Sequence, residues 1–171
     1  GKVLLTMFSQ NTNLLLAFLR DHNTARSVLD VFNDLYAMFG RETYCRLFPV
    51  ILTDRGSEFS NPVPIEQDEN DELRSLVFYC NPSVPYQKGG IEVAHELVRR
   101  VLPKGKSFDD LQQEDIDLML SHINSYKRGK LNSRSAYQLF NFIYGDDILP
   151  KLNIREIEAN DIVLSPKLLK K

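Results

Sequence analysis

The first part of the chain alternates short apolar runs with polar breaks and then changes to helical spacing. KVLLTMF (2–8) and LLLAFLR (14–20) are joined by the polar segment SQNTN, which predicts a strand–turn–strand unit. A helix is expected next, with Asn23 or Thr24 as its cap, apolar residues three and four apart, and Gly40 as its end. The chain therefore begins as a hairpin followed by a helix.

Two more strands are predicted before the pattern becomes helical. The run RLFPVILT (46–53) is apolar almost without interruption, which favours a strand buried on both faces. RSLVFYC (74–80) predicts a fourth strand. Between them, NPVPIEQDENDE (61–72) carries two prolines and an acidic run, so we expect a surface excursion there.

The second half of the chain has the period of helices. After the loop-type segment NPSVPYQKGG (81–90), a helix is expected from Ile91 to about Leu102. Two further helices are predicted, one capped by Ser107 and one ending at Gly145. Strands mixed with helices, followed by helices alone, indicate an α/β fold with a helical C-terminal extension. We expect a core over 1–105 and the extension, packed on it, over 106–171.

Composition narrows the class of protein only slightly. The 171 residues are 43% apolar and 26% charged, as in one ordinary soluble domain, and no apolar run has membrane-spanning length. The net charge of -2 is a mild argument against nucleic-acid binding, although it leaves room for a local basic patch. Cys45 and Cys80 lack metal-ligand spacing, so we expect buried thiols in a reducing, cytoplasmic compartment.

Two acidic residues stand where a metal site could form. Asp54 follows the apolar run 46–53, at the strand end where ligands of open α/β sheets gather. Glu92 lies in the first turn of a predicted helix, and two such carboxylates suit Mg²⁺. Each also has an ordinary structural interpretation, since Asp54 precedes Gly56 as in a turn and acids are favoured at helix starts. His95 and Glu96 lie three and four residues after Glu92, on the same face of the predicted helix, and are expected at the surface.

The motifs LTDRGSEFSN, FYCNPSVPYQKGGIEVAHELVRR and HINSYKRGKL…YQLF together resemble the retroviral-integrase-like core of bacterial insertion-sequence transposases. That resemblance implies an RNase H-like mixed sheet and an Asp–Asp–Glu metal triad that binds Mg²⁺ or Mn²⁺. Asp54 matches its second Asp and Glu92 its Glu. It also implies phosphoryl transfer on DNA, at transposon ends and a target, by a homo-oligomer associated with the bacterial nucleoid.

The resemblance also implies DNA contacts. The family's loop before the Glu approaches the DNA end, and here that loop supplies Tyr86, Gln87 and Lys88. Arg99 belongs to a basic cluster that either binds phosphate or forms an ordinary solvated face. This cluster is made up of Lys88, Arg99, Arg100, Lys104 and Lys106. A second basic group, Lys127, Arg128 and Lys130, is expected to be solvated.

The first Asp of the triad has no counterpart here. By the resemblance, it lies on a central first strand that should precede Gly1, so the chain is expected to be N-terminally truncated. We expect it to be poorly stable alone, or another segment or subunit to fill the gap. Whether the chain is an enzyme is therefore left open. Three functions are compatible with the sequence: a DNA transposase core, a non-catalytic remnant or scaffold of the same fold, and a metal-dependent nuclease that cuts without joining.

Overall fold

The computed structural model describes residues 1–80 and 90–170. The described chain alternates short strands and helices, with 3-10 turns between several of them. The elements are β1 (Val3–Phe8), β2 (Leu15–Arg20), α1 (Ala25–Leu47), β3 (Val50–Thr53), α2 (Val63–Glu66), β4 (Leu76–Tyr79), α3 (Ile91–Val101), α4 (Gln113–Ser125), β5 (Lys127–Arg128), β6 (Arg134–Ser135), α5 (Ala136–Tyr144) and α6 (Ile148–Lys151). The fold is therefore mixed α/β.

The chain divides into two compact units, Gly1–Leu19 with Gly89–Lys171 and Arg20–Lys88. This division follows spatial compactness, and the predicted domain boundary at residue 105 stays a prediction. The described strands form three two-stranded sheets, β1–β2, β3–β4 and β5–β6. No helix in the described part of the chain combines the length and apolar content that crossing a membrane requires.

In the first unit, the predicted hairpin packs on helices. β1 and β2 are hydrogen-bonded neighbours, and the connection between them is too short for a parallel crossover, so they run antiparallel. Helix α3 buries Ala94, Leu97, Val98 and Val101. The expected end of α5 at Gly145 is confirmed, since Gly145 caps that helix with a φ of 96°.

Two amide side chains of α4 bind the backbone of β2. The side chain of Asn124 accepts a hydrogen bond from the Leu15 N–H (2.9 Å) and donates one to the Leu15 carbonyl (2.8 Å). The side chain of Gln113 binds further along β2. It accepts a hydrogen bond from the Leu19 N–H (2.9 Å) and donates one to the Ala17 carbonyl (3.1 Å). These amides pair backbone groups that a neighbouring strand would otherwise satisfy. Gln113 is the first residue of α4, so this contact lies at the start of the helix.

The predicted start of that helix was wrong by several residues. Ser107 accepts a hydrogen bond from the Asp109 N–H in a turn, and helical geometry begins only at Gln113. The cap is Gln112, whose N–H donates to the Asp115 carboxylate at 2.8 Å. Both positions carry polar residues followed by acids, so local sequence favours each of them.

Helix α4 also holds the irregular segment that follows α6. The hydroxyl groups of Ser121 and Ser125 accept from the N–H groups of Arg155 (3.1 Å) and Ile157 (2.9 Å). His122 is buried, and its Nδ1 accepts from the Val163 N–H at 3.0 Å. The expectation that the chain after residue 106 is helical is therefore only partly right, because residues 154–170 contain short 3-10 turns.

Stability should depend on the protonation of His122. Burial, followed by the nearby Arg155, lowers the pKa of His122, and Asp161 opposes that shift. The unfolded chain therefore binds a proton more readily, so the free energy of unfolding should fall as the pH drops below about 6.5. Urea unfolding between pH 7.5 and 5.5 measures this slope. His122→Asn should flatten it and His22→Gln should leave it; an unchanged slope in His122→Asn would refute the assignment.

In the second unit, α1 confirms both of its predicted signals. Thr24 caps the helix, since its hydroxyl accepts from the Ser27 N–H at 3.1 Å. Gly40 leaves helical geometry with a φ of 77°, so the first helical segment ends where expected. The chain then resumes a helix up to Leu47, which the sequence pattern had assigned in part to a strand.

Arg74 is the polar centre of the second unit. It is 3% exposed and donates to the carbonyls of Ile65 (3.0 Å) and Pro64 (3.1 Å) and to Asn33 (2.8 Å). Its guanidinium also lies over the rings of Tyr36 and Tyr44, at 4.9 and 5.5 Å from their centroids. The segment 61–72 is therefore not only a surface excursion, because it contains α2 with Ile65 buried. Pro62 and Pro64 fit there since a helix start tolerates proline.

Strand β3 is shorter and more exposed than predicted. It pairs in parallel with β4, and the register places Val50 beside Leu76 and Leu52 beside Phe78. All four side chains are exposed, between 42% and 57%. The prediction of burial on both faces was wrong because these four side chains share one face of the sheet, and no described element covers that face.

Candidate functional site

Asp54 directly follows β3 and is exposed to solvent. Its Oδ1 accepts a hydrogen bond from the Gly56 N–H at 2.9 Å, so the predicted turn is present. This bond fixes the orientation of the carboxylate. The turn and a metal-binding role are compatible, because an ionised carboxylate has further acceptor sites on both oxygens.

The turn after β3 is fastened to the end of β4. The Tyr79 hydroxyl donates to the Phe59 carbonyl at 2.5 Å, and the Arg55 guanidinium lies 5.8 Å from the centroid of the Tyr79 ring. Because β3 and β4 are parallel, their carboxyl ends meet at one edge of the sheet. Asp54 is therefore presented from a braced turn at the sheet edge where ligands commonly bind.

Glu58 is a second carboxylate at this turn, and sequence reasoning did not single it out. A Cβ on Gly56 would lie 2.8 Å from Glu58 Oε2 and 3.0 Å from Asp54 Oδ1, so both oxygens border the same small space. Burial lowers the pKa of Arg20, and the nearby Glu58 opposes that shift. Glu58 belongs to the same LTDRGSEF motif as Asp54, which is the sequence feature that could have identified it.

Glu92 lies in the first turn of α3, as predicted, and is exposed. The helix has no side-chain cap, since Gly90 occupies the cap position with a left-handed φ of 87°. The carboxylate therefore stands beside backbone N–H groups that favour negative charge. The position of Glu92 is therefore compatible with a structural acid and with a metal ligand.

Gly90 should be required at that helix start. Its φ of 87° disfavours any side chain, and a Cβ there would lie 2.9 Å from Phe8 Cζ. Gly105 also has a φ of 87° but nothing within 4 Å, so it is a matched control. We expect Gly105→Ala to lower the free energy of unfolding by about 1–2 kcal/mol and Gly90→Ala to lower it by clearly more. Equal losses in chemical unfolding would show that the Phe8 contact is unimportant.

The remaining polar residues of α3 contact their surroundings. His95 Nε2 lies 3.2 Å from the Thr6 hydroxyl of β1. Glu96 pairs with Arg100 at 3.1 Å, so this arginine of the predicted basic cluster is already partly compensated. Arg99 is exposed and reaches the Leu102 carbonyl at 3.5 Å. Arg99 thus remains the cation of α3 that is better placed for an external anion.

The predicted site is only partly within the described structure. Tyr86, Gln87 and Lys88 lie outside the described residues. Asp54 and Glu92 belong to different compact units, so their predicted convergence stays a prediction. Within residues 1–80 and 90–170, no three or more His, Cys, Asp or Glu side chains are grouped so that they could hold a metal ion.

Comparison with known proteins finds similar sequences in mobile genetic elements. No protein-family model matches the chain. The ORF3 protein of Spiroplasma virus SpV1-R8A2 B, whose name assigns it as an integrase, is 28% identical over 137 residues, which is 80% of this chain and 40% of that protein. The transposase of IS1086 from Cupriavidus metallidurans is 35% identical over 63 residues, and that of IS4351 from Bacteroides fragilis is 27% identical over 94 residues.

A solved structure has a similar fold. A chain in the cryoEM structure of the simian T-cell lymphotropic virus intasome in complex with PP2A regulatory subunit B56 gamma matches with a TM-score of 0.55 and 17% identity, over 91% of this chain and 52% of that chain. The match to the IS1086 transposase covers 37% of this chain and 19% of that protein, and the match to the IS4351 transposase covers 55% and 28%. The chain therefore spans less than half the length of each of these curated relatives. The resemblance to integrases and insertion-sequence transposases is thus confirmed.

Proposed function

We propose that this chain forms much of the RNase H-like catalytic core of a DNA transposase or integrase, which cuts and joins DNA ends with Mg²⁺ or Mn²⁺. The observation that carries the proposal is Asp54, exposed on a braced turn at the carboxyl end of β3. It stands in the LTDRGSEF motif of a chain whose relatives are named integrase and transposase. The fold likeness to a chain of an intasome structure supports the same class.

The carboxylates fit the proposed metal. Asp54 and Glu92 are both exposed and offer the hard oxygen ligands that Mg²⁺ and Mn²⁺ prefer. The Gly56 N–H holds one oxygen of Asp54 without occupying the whole carboxylate. Asp54 and Glu92 would hold the ion, which in such sites supplies charge stabilisation and an activated oxygen nucleophile for displacement at phosphorus.

The protein's own role is to orient the carboxylates and the DNA. The Gly56 N–H orients the Asp54 carboxylate by a hydrogen bond, and Glu92 lies in the first turn of α3. Arg99, seven residues after Glu92 on the same helix, can contact a DNA phosphate. Tyr86, Gln87 and Lys88 are proposed to contact the DNA end, and the homo-oligomer stays an expectation.

The test is a strand cleavage and joining assay with the full-length protein. A labelled duplex that carries the element's terminal sequence is incubated with Mn²⁺, Mg²⁺ or EDTA. We expect both cleavage and joining with either ion and neither with EDTA. Cleavage without joining would favour the nuclease, and neither reaction with any ion would favour a non-catalytic scaffold.

A further inference from the structure

Glu58 lies on the same turn as Asp54, and the backbone that carries it is held on two sides. It is the middle residue of a 3-10 turn, which the Phe59 N–H closes by donating to the Gly56 carbonyl at 2.9 Å. The Phe59 carbonyl accepts a hydrogen bond from the Tyr79 hydroxyl at the end of β4. The contacts that brace the turn after β3 therefore also fix the position from which Glu58 extends.

Gly56 leaves a space open between the two carboxylates. Its φ of -59° and ψ of 153° lie in the polyproline II region, so the backbone does not require a glycine. A Cβ at this position would instead lie 2.8 Å from Glu58 Oε2 and 3.0 Å from Asp54 Oδ1. One oxygen of each carboxylate thus borders the same point. Because Asp54 is exposed and Glu58 partly exposed, a small ion can reach this space from solvent.

The charges around this space favour a cation on its open side. Arg20 is 7% exposed and is held by hydrogen bonds to the Ser27 hydroxyl (2.7 Å) and to Asn23 (3.3 Å). Burial lowers the pKa of Arg20 and the charge of Glu58 opposes that shift, so the two side chains attract each other. Glu58 and Asp54 carry like charges, and Arg20 offsets part of their repulsion. A divalent cation beside both carboxylates would offset the rest.

We infer that Glu58 positions a divalent ion at Asp54 by accepting hydrogen bonds from the water molecules around that ion. The inference rests on the proposed function, which assigns the ion to Asp54. Mg²⁺ keeps several water molecules when few carboxylates bind it, and carboxylates beyond the direct ligands orient such groups. Glu58 is thus a positioning residue of the proposed site, and it belongs to the same compact unit as Asp54.

Mn²⁺ titration of the full-length protein, followed by electron paramagnetic resonance, tests the inference without a DNA reaction. Glu58→Gln keeps the size of the side chain and removes its charge, so the Mn²⁺ affinity should fall by about 10–100-fold. Glu42→Gln is the matched control, since Glu42 is exposed on α1, and it should keep wild-type affinity. The Tm of Glu58→Gln should equal that of wild type. A lower Tm with unchanged Mn²⁺ affinity would show a structural role and overturn the inference.

Gly56→Ala tests the shared space without removing either carboxylate. The backbone geometry at residue 56 accommodates alanine, while the new Cβ would displace the Glu58 oxygen, which is the nearer of the two. We expect a loss of Mn²⁺ affinity of the same order as in Glu58→Gln. Full Mn²⁺ affinity in Gly56→Ala would mean that the ion does not use this space, and would overturn the inference.

The number of water molecules on the bound Mn²⁺ distinguishes a water-mediated contact from a direct one. Nuclear relaxation of isotopically labelled water measures it, and Glu58→Gln should hold as many water molecules as wild type. An additional water molecule in Glu58→Gln would identify Glu58 as a direct ligand and overturn the water-mediated role.

The proposed function is judged separately, by the cleavage and joining assay. Wild-type cleavage and joining, together with full Mn²⁺ affinity in Glu58→Gln, would overturn this inference alone. A wild-type protein that binds no Mn²⁺ and cuts no DNA would overturn both.

Discussion

Asp54→Asn should abolish DNA cleavage and joining by the full-length protein. The amide still accepts a hydrogen bond from the Gly56 N–H, so the turn that orients residue 54 is kept. It lacks the negative charge with which a carboxylate attracts a divalent ion. We expect a rate loss of more than about 100-fold, since even the outer partners of metal ligands are worth about 10–100-fold. Single-turnover assays with Mn²⁺ measure it.

The matched control is Asp34→Asn, the same change at an exposed position of α1. It should retain wild-type rates. Thermal unfolding of both variants should match wild type, which separates lost chemistry from lost folding. If Asp54→Asn were as active as wild type, Asp54 would have no part in the reaction and the proposed function would lose its main support.

Asn124→Ala should cause the largest loss of stability. It removes a fully buried amide that satisfies both the N–H and the carbonyl of Leu15. Each buried backbone group left unpaired costs about 1–3 kcal/mol, so we expect a loss of roughly 2–5 kcal/mol. The Tm should fall by about 5–15 °C in differential scanning calorimetry.

Asn160→Ala is the control for this change, because Asn160 is exposed in a 3-10 turn. It should shift the Tm by no more than the scatter between preparations. A small effect of Asn124→Ala would mean that water or another strand can satisfy Leu15, and that the amide contact does not hold β2 in place.

The elements that the sequence predicted well are those with local end signals. Thr24 and Gly40 delimit the first segment of α1, and Gly145 ends α5, because capping and left-handed geometry depend on single residues. The start of α4 could not be located this way, because the local sequence favours a helix cap at Ser107 as well as at Gln112. The observed start coincides with the contact between Gln113 and β2, which joins residues more than ninety positions apart.

Burial of β3 could not be predicted for the same reason. A run of apolar residues is typical of a strand buried on both faces, but the exposure of Leu52 depends on which elements cover it. Similarly, Glu92 was placed correctly at a helix start and Asp54 at a strand end, because both positions follow from local pattern. Their convergence on one metal ion stays a prediction, because the two residues belong to different compact units.

The central claim is that Asp54 and Glu92 share one divalent ion. Mn²⁺ titration followed by electron paramagnetic resonance tests it on wild type, Asp54→Asn, Glu92→Gln and the double variant. If the ion is shared, each single variant should lose most of the affinity and the double variant little more, a strongly non-additive result. Additive losses, or full Mn²⁺ affinity in Glu92→Gln, would contradict the account.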